Sequence, residues 1–121
     1  MSDATARVAL VTGASRGIGL ATVTLLASRG VSTIGAARGL ADTGGTRRVD
    51  VADDASVKRV CDDVAATHGR IDILINCAGI ATTGDPLTLS VDEWETVLRT
   101  NLIGTYLCCK HVLPIMRRQG F

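Results

Sequence analysis

The sequence predicts an α/β fold, a doubly wound parallel sheet in strand order 3-2-1-4, and three observations carry that expectation. Short, nearly continuous apolar runs alternate with stretches of helical periodicity, the pattern of strands covered on both faces by crossover helices. The first run passes through Thr12 into Gly13-Ala14-Ser15-Arg16-Gly17-Ile18-Gly19 and then straight into a helix. Right-handed crossovers make the connections leave the first strand in opposite senses, which opens a crevice beyond the C-terminal ends of strands 1 and 4.

Taken in order, Val8 to Val11 is a central strand and Gly17 to Ser28 the helix after it. That helix offers Ala21, Leu25 and Ala27, with Val23 and Leu26, as an inward stripe, and Gly30 stands where a left-handed cap belongs. Ser32 to Ala37 is the second strand, Arg38 to Gly45 a turn-rich link in place of a helix, and Arg47 to Val51 the third strand. Asp53 caps the next helix, where Val57, Val60, Cys61 and Val64 recur at i, i+3, i+4 and i+7 until His68-Gly69. Ile71 to Asn76 is the fourth strand, apolar apart from Asp72. Ser90-Val91-Asp92-Glu93 forms a capping box that starts a long helix reaching Arg118, with Pro114 expected to kink it or end it early.

The glycine-rich turn has a direct physical reading. Gly13, Gly17 and Gly19 let the backbone turn tightly, approach a pyrophosphate and pack helix on strand, while the helix N-terminus faces the anion. A tight strand-to-helix turn without a ligand is the plain alternative. Asp50 likewise reads either as a ligand-facing acid at the crevice or as a turn former ending its strand.

At these residues the chain resembles the short-chain dehydrogenase/reductase family, whose first turn is T-G-x3-G-x-G, matched by Thr12, Gly13, Gly17 and Gly19. Asp50-Val51, Asn76-Cys77-Ala78-Gly79 and Asn101 follow in the family's order. The runs Leu10 to Gly19 and Ile71 to Gly79 resemble the 3-oxoacyl-acyl-carrier-protein reductase type. The resemblance implies an NAD(P)-binding Rossmann fold in which the turn Thr12, Gly13, Ala14, Ser15, Arg16, Gly17, Ile18 and Gly19 holds the cofactor. It implies that Asp50 accepts from the adenine amino group, Val51 lines the ring, and Asn76, Ala78 and Gly79 form the floor beneath a ribose. Cys77 departs from the family's second Asn, and a thiol is a poor substitute for an amide. Asn101 corresponds to the catalytic Asn, which holds a water linking the catalytic Lys to solvent.

The resemblance also places Ala37 where NAD-using relatives carry Asp, while Arg16 and Arg38 flank the same end of the crevice. Two guanidiniums suit a 2′-phosphate, so the cofactor expected is NADP, with NAD the alternative. Two solvent-exposed arginines unrelated to cofactor choice are the competing reading.

The resemblance covers essentially the whole chain but only the N-terminal half of the family, so residues 1 to 121 are expected to form an incomplete dinucleotide-binding domain. Tyr106 and Lys110 satisfy Y-x3-K, yet they lie on the same helix as Asn101, and the family's Ser would fall on Glu93. They are expected to be an ordinary helical i, i+4 pair. The catalytic Ser, Tyr and Lys therefore have no counterparts in this chain. The implied function is reduction of a carbonyl or oxidation of a secondary alcohol, with a small-molecule substrate. The alternative is a catalytically inactive dinucleotide-binding or interaction module.

A hydrophobic content of 46% with net charge +1 argues against a nucleic-acid or membrane-surface partner. Met1 to Ala6 is short and polar, and no run nears the roughly 18 apolar residues of a membrane span, so a cytoplasmic protein is expected. Cys61, Cys77, Cys108 and Cys109 lack C-x-x-C spacing and read as free, buried thiols, and His68 and His111 as helix-surface or dipole-facing residues with no metal. The apolar edge of strand 4, together with Val97, Leu98, Leu102, Ile103, Leu107 and Val112 around the long helix, predicts a homo-oligomer.

Overall fold

A computed structural model describes residues 6–82 and 84–120; the polar N-terminal stretch through Thr5, and Phe121, lie outside the described residues. Its elements are β1 (Val8–Thr12), α1 (Gly17–Ser28), β2 (Ser32–Ala37), β3 (Thr46–Arg48), α2 (Asp54–His68), β4 (Ile73–Ile75), α3 (Val91–Leu98), a π turn (Arg99–Ile103) and α4 (Gly104–Gln119). The four strands form a parallel sheet in the order β3-β2-β1-β4. Val8 pairs with Ser32, Ala9 with Ile73 and Gly35 with Thr46.

Two expected strands are shorter than the apolar runs that announced them. The third begins at Thr46 and its ladder ends at Arg48, although Val49 still donates to the Ala37 carbonyl at 3.1 Å. The fourth is confined to Ile73–Ile75 because backbone groups below it turn to side chains: Ile71 N–H donates to Gln119 Oε1 at 2.8 Å. Asp72 explains its place in an apolar run. Its Oδ2 accepts from Val8 N–H at 2.9 Å while its own N–H donates to the Val8 carbonyl at 2.8 Å. Arg70 grips the same carboxylate through Nε and Nη2, and Gln119 Nε2 donates to the Ile71 carbonyl at 2.9 Å. Burial alone would raise the Asp72 pKa, but the Arg70 pair and the Val8 N–H outweigh it and hold the carboxyl below its ordinary range.

The core lies on one face of the sheet, where Val8, Leu10, Ile34, Val49 and Val51 meet Val57, Val60 and Val64 of α2 and Leu107, Val112 and Ile115 of α4. α2 and α3 start as their sequences suggest. Asp53 Oδ1 accepts from Ala55 N–H at 3.2 Å, and Ser90 Oγ accepts from Glu93 N–H at 3.1 Å. Gly69 closes α2, and Gly30 follows α1, in the left-handed conformation.

On the opposite face the expected stripe of α1 is corrected. Ala21, Leu25 and Ala27 are exposed, whereas Gly19, Val23 and Leu26, spaced i, i+4 and i+7, turn inward. Among the described residues this helix packs mainly on β2 and β1, so a narrow line of residues reaches the sheet. The long helix is also corrected. It does not break at Pro114, because Val112 and Ile115 anchor it to the core and Gln119 ties its last turn to Ile71. It is instead interrupted earlier, at the π turn, where Gly104 N–H reaches back to the Arg99 carbonyl.

All four cysteines are free; Cys61 and Cys108 are buried, while Cys77 and Cys109 are only half-buried. Burial pushes the Cys61 thiol up to about 12 and the Cys108 thiol up to about 11, which keeps both in the unreactive form. His111 is not a dipole-facing residue: its Nε2 lies 2.6 Å from Asp54 Oδ1, because the first turn of α2 runs beside α4. That contact, with Lys110, holds the Asp54 carboxyl below its ordinary range. His68 ends α2, with its Nε2 buried and without a partner among the described residues.

Candidate functional site

A cleft of about 460 Å³ opens at the C-terminal ends of β1, β2 and β4. Its floor is the glycine-rich turn, and two glycines there are dictated by contact. Gly13, at φ +64°, sits so close to the next loop that an added Cβ would meet the Cys77 carbonyl carbon and oxygen at 2.6 Å and Ala78 N at 2.7 Å. A Cβ on Gly19 would strike the Gly13 carbonyl oxygen. Gly17 differs, since it lines the cleft and adopts φ +59° with nothing within 4 Å of where a Cβ would stand.

The N-terminus of α1 is prepared for an anion. Arg16 occupies the cap position without a side-chain capping bond, and the first turn contains no acidic residue. Amide N–H groups of a first turn lack intrahelical acceptors and carry the positive end of the dipole. Arg16 and Arg38 both line this cleft, as do Ser15, Ile18, Ala78 and Gly79.

Asp50 lines the cleft with Val51 and combines both readings of its sequence. Its Oδ1 accepts from Ala52 N–H at 3.0 Å, a turn-forming bond, while its Oδ2 bonds no other described residue. Thr12 and Ala14 lie behind the surface, both buried. Thr12 Oγ1 accepts from the N–H groups of Cys77 and Ala78, each at 3.2 Å, and so ties β1 to the loop after β4. Asn76 is not among the lining residues; it is exposed, and its Nδ2 lies 3.9 Å from Cys109 Sγ.

Asn101 stands in the π turn, one layer back from the cleft. Its Nδ2 donates to the Ile80 carbonyl at 2.7 Å and its Oδ1 accepts from Ile80 N–H at 2.8 Å, so one amide side chain pairs with both backbone groups of one residue as a neighbouring strand would. Ile80 lines the cleft, and a Cβ on Gly79 would lie 3.3 Å from Asn101 Oδ1. Tyr106 and Lys110 are absent from the lining; Tyr106 is exposed and Lys110 Nζ reaches Asp54 at 3.5 Å.

Several residues enter the site without having been singled out in the sequence. Gly39, Val49, Ile80 and Thr100 line the cleft, beside Ala37 and Cys77, which the family pattern had already marked. Gly104 lets the start of α4 press on Val51, since its Cβ would lie 2.8 Å from Val51 Cγ2. Arg99 Nε donates to the Ala52 carbonyl at 3.1 Å, joining the π turn to the Asp50 loop. The signal for Gly104 was a glycine deep inside a helix, which costs helix stability and so marks a close approach.

A parallel sheet with its cleft at the strand-order switch, floored by a glycine turn and an uncapped helix N-terminus, defines the dinucleotide-binding α/β class. The short chain dehydrogenase family model matches residues 7–121, and the chain belongs to that family. It is 43% identical to D-threitol dehydrogenase of Mycolicibacterium smegmatis over 94% of this chain and 49% of that protein. It is 35% identical to the 3-oxoacyl-acyl-carrier-protein reductase FabG of Escherichia coli K12 over 93% of this chain and 50% of that protein. An actinorhodin polyketide ketoreductase solved with NADPH superposes at TM-score 0.90 and 30% identity, covering 99% of this chain and 52% of that one. The chain thus spans about half the length of the curated relatives it matches.

Proposed function

We propose that residues 1–121 are the cofactor-binding half of an NADP(H)-dependent oxidoreductase acting on a carbonyl or secondary alcohol of a small molecule. The observation that carries this reading is the uncapped N-terminus of α1 with Arg16 and Arg38 lining the same cleft. In it, N–H groups of the glycine turn bind the pyrophosphate, and the two guanidiniums bind the 2′-phosphate. The fit is supported by Gly17, whose missing side chain leaves its backbone open to the cleft, and by the Asp50 Oδ2 left over for the adenine amino group. Val51 meets the ring, Ala78 and Gly79 underlie a ribose, and Asn101 acts by fixing Ile80. Thr12 and Ala14 support the turn from behind. The bound nicotinamide would supply or accept hydride.

Calorimetric titration tests the cofactor. NADPH is expected to bind more tightly than NADH, by roughly tenfold for the charge-assisted contacts, and Arg38→Asp to reverse the order. Equal affinities in both proteins would reject the assignment.

A second reading, a binding module without turnover, is favoured for the chain alone by the cleft lining, in which no tyrosine or lysine is present to act as general acid. The NADPH absorbance is therefore expected to stay constant with ketone substrates. Ketone-dependent decay abolished by Tyr106→Phe would overturn this. We place the protein in the cytoplasm and expect self-association through the exposed Leu98, Leu102 and Ile103.

A further inference from the structure

We propose that Arg47 is a positioning residue for cofactor selection: its buried guanidinium latches the loop after β2 so that Arg38 stands at the cleft. The inference rests on the NADP(H) reading.

Arg47 and Arg48 are neighbours in β3, yet Arg47 is 5% exposed and Arg48 lies in solvent. Arg47 points inward in register with Val49 and Val51, toward α2. A buried charge is costly unless paired, and an apolar residue would cover this part of α2 without that cost. What the guanidinium adds is a fork. Its Nε donates to Asp63 Oδ2 of α2 at 2.5 Å, and its Nη1 donates to the carbonyls of Thr43 and Thr46, the latter at 2.8 Å.

The Thr43 carbonyl belongs to the link that replaces a helix, whose backbone lacks a helical ladder to satisfy it, and the Thr46 carbonyl, at the first residue of β3, also accepts from Thr43 N–H at 3.0 Å. Around them the link is fastened closely. Thr43 Oγ1 accepts from Thr46 N–H at 3.1 Å, Thr46 Oγ1 donates to the Ala41 carbonyl at 2.7 Å, and Arg48 N–H donates to Asp42 Oδ1 at 3.0 Å. Gly35 N–H donates to the Gly45 carbonyl at 3.0 Å. By contrast, the cleft-lining end, Arg38 and Gly39, is spanned by one long backbone bond, Leu40 N–H to the Ala37 carbonyl at 3.3 Å. Arg38 therefore inherits its place from β2 on one side and from the Arg47 latch on the other.

The test compares the whole chain with Arg47→Met, which keeps the stem and removes the fork, and with Asp63→Asn, a change at the half-exposed partner that preserves the fold should Arg47→Met not. NADPH and NADH affinities are measured by calorimetry, and deuterium uptake is followed over residues 39–46. Loss of the fork is expected to weaken NADPH about tenfold while NADH changes by about twofold or less, as one charge-assisted contact is mispositioned. Uptake in the link should rise in both variants. A parallel loss for both cofactors would mean that Arg47 is merely structural, and an unchanged NADPH preference would equally overturn the latch. Wild-type chain showing no preference for NADPH would instead fail the underlying cofactor reading, and the selection role with it.

Discussion

Gly13→Val is expected to remove dinucleotide binding and to destabilise the chain by about 2–5 kcal/mol, the sum of a left-handed conformation for a branched residue and an overpacked contact. Its Cβ would lie 2.6 Å from the Cys77 peptide, and backbone on both sides leaves nothing flexible to yield. The loop carrying Ala78 and Gly79 would be forced from β1, breaking the two N–H bonds to Thr12 Oγ1. Gly30→Ala provides the control. Gly30 has φ +83° with open space around it and lies at the far end of α1, so a cost of about 1 kcal/mol and unaltered binding are expected. Gly17→Ala separates the two effects: a similar small cost, since its Cβ would meet nothing, with binding expected to weaken because Gly17 lines the cleft. Urea titrations and calorimetry on the three variants check the ordering, and a Gly13→Val protein that binds NADPH normally would contradict the contact argument.

Asp72→Ala is expected to cost about 1–3 kcal/mol, the penalty for leaving a buried N–H without its acceptor, since the Arg70 guanidinium reaches solvent. The side chain is fully enclosed, and its loss leaves Val8 N–H without an acceptor and Arg70 without its carboxylate. The knot joins the bottoms of β1 and β4 to the last turn of α4 through Gln119, so its failure loosens both sides of the sheet floor. The pH dependence has a definite sign. Because the folded pKa lies below the ordinary value of 3.8, the contribution is fully present above that value and is lost as pH falls through the folded pKa. Chemical denaturation from about pH 6 to about pH 2 should show stability of the wild type falling through this acid range, with a flatter profile in Asp72→Asn. Superimposable profiles would rule out the assignment of the acid limb to Asp72.

What the residues determined alone was local or periodic. The apolar runs and their alternation with helices led to the parallel order 3-2-1-4; Gly13, Gly17 and Gly19 marked the turn; and Asp53 and Ser90 marked helix starts, because caps bond within a few residues of themselves. Arg38 to Gly45 read as a loop for the same reason, its composition being turn-forming throughout. What only the tertiary structure decided involves partners far apart in the chain. Arg47 and Arg48 have the same chemistry, and only the packing of β3 against α2, where Asp63 pairs with Arg47, buries one of them. Asn101, an unfavourable residue inside a helix, is accommodated because Ile80 supplies both bonds and the π turn the angle. Asp72 broke an apolar run because Val8 needed an acceptor. The inward line of α1 was Gly19, Val23 and Leu26 instead of the broader stripe, since the width of sheet beneath a helix is fixed by other strands and not by its own periodicity.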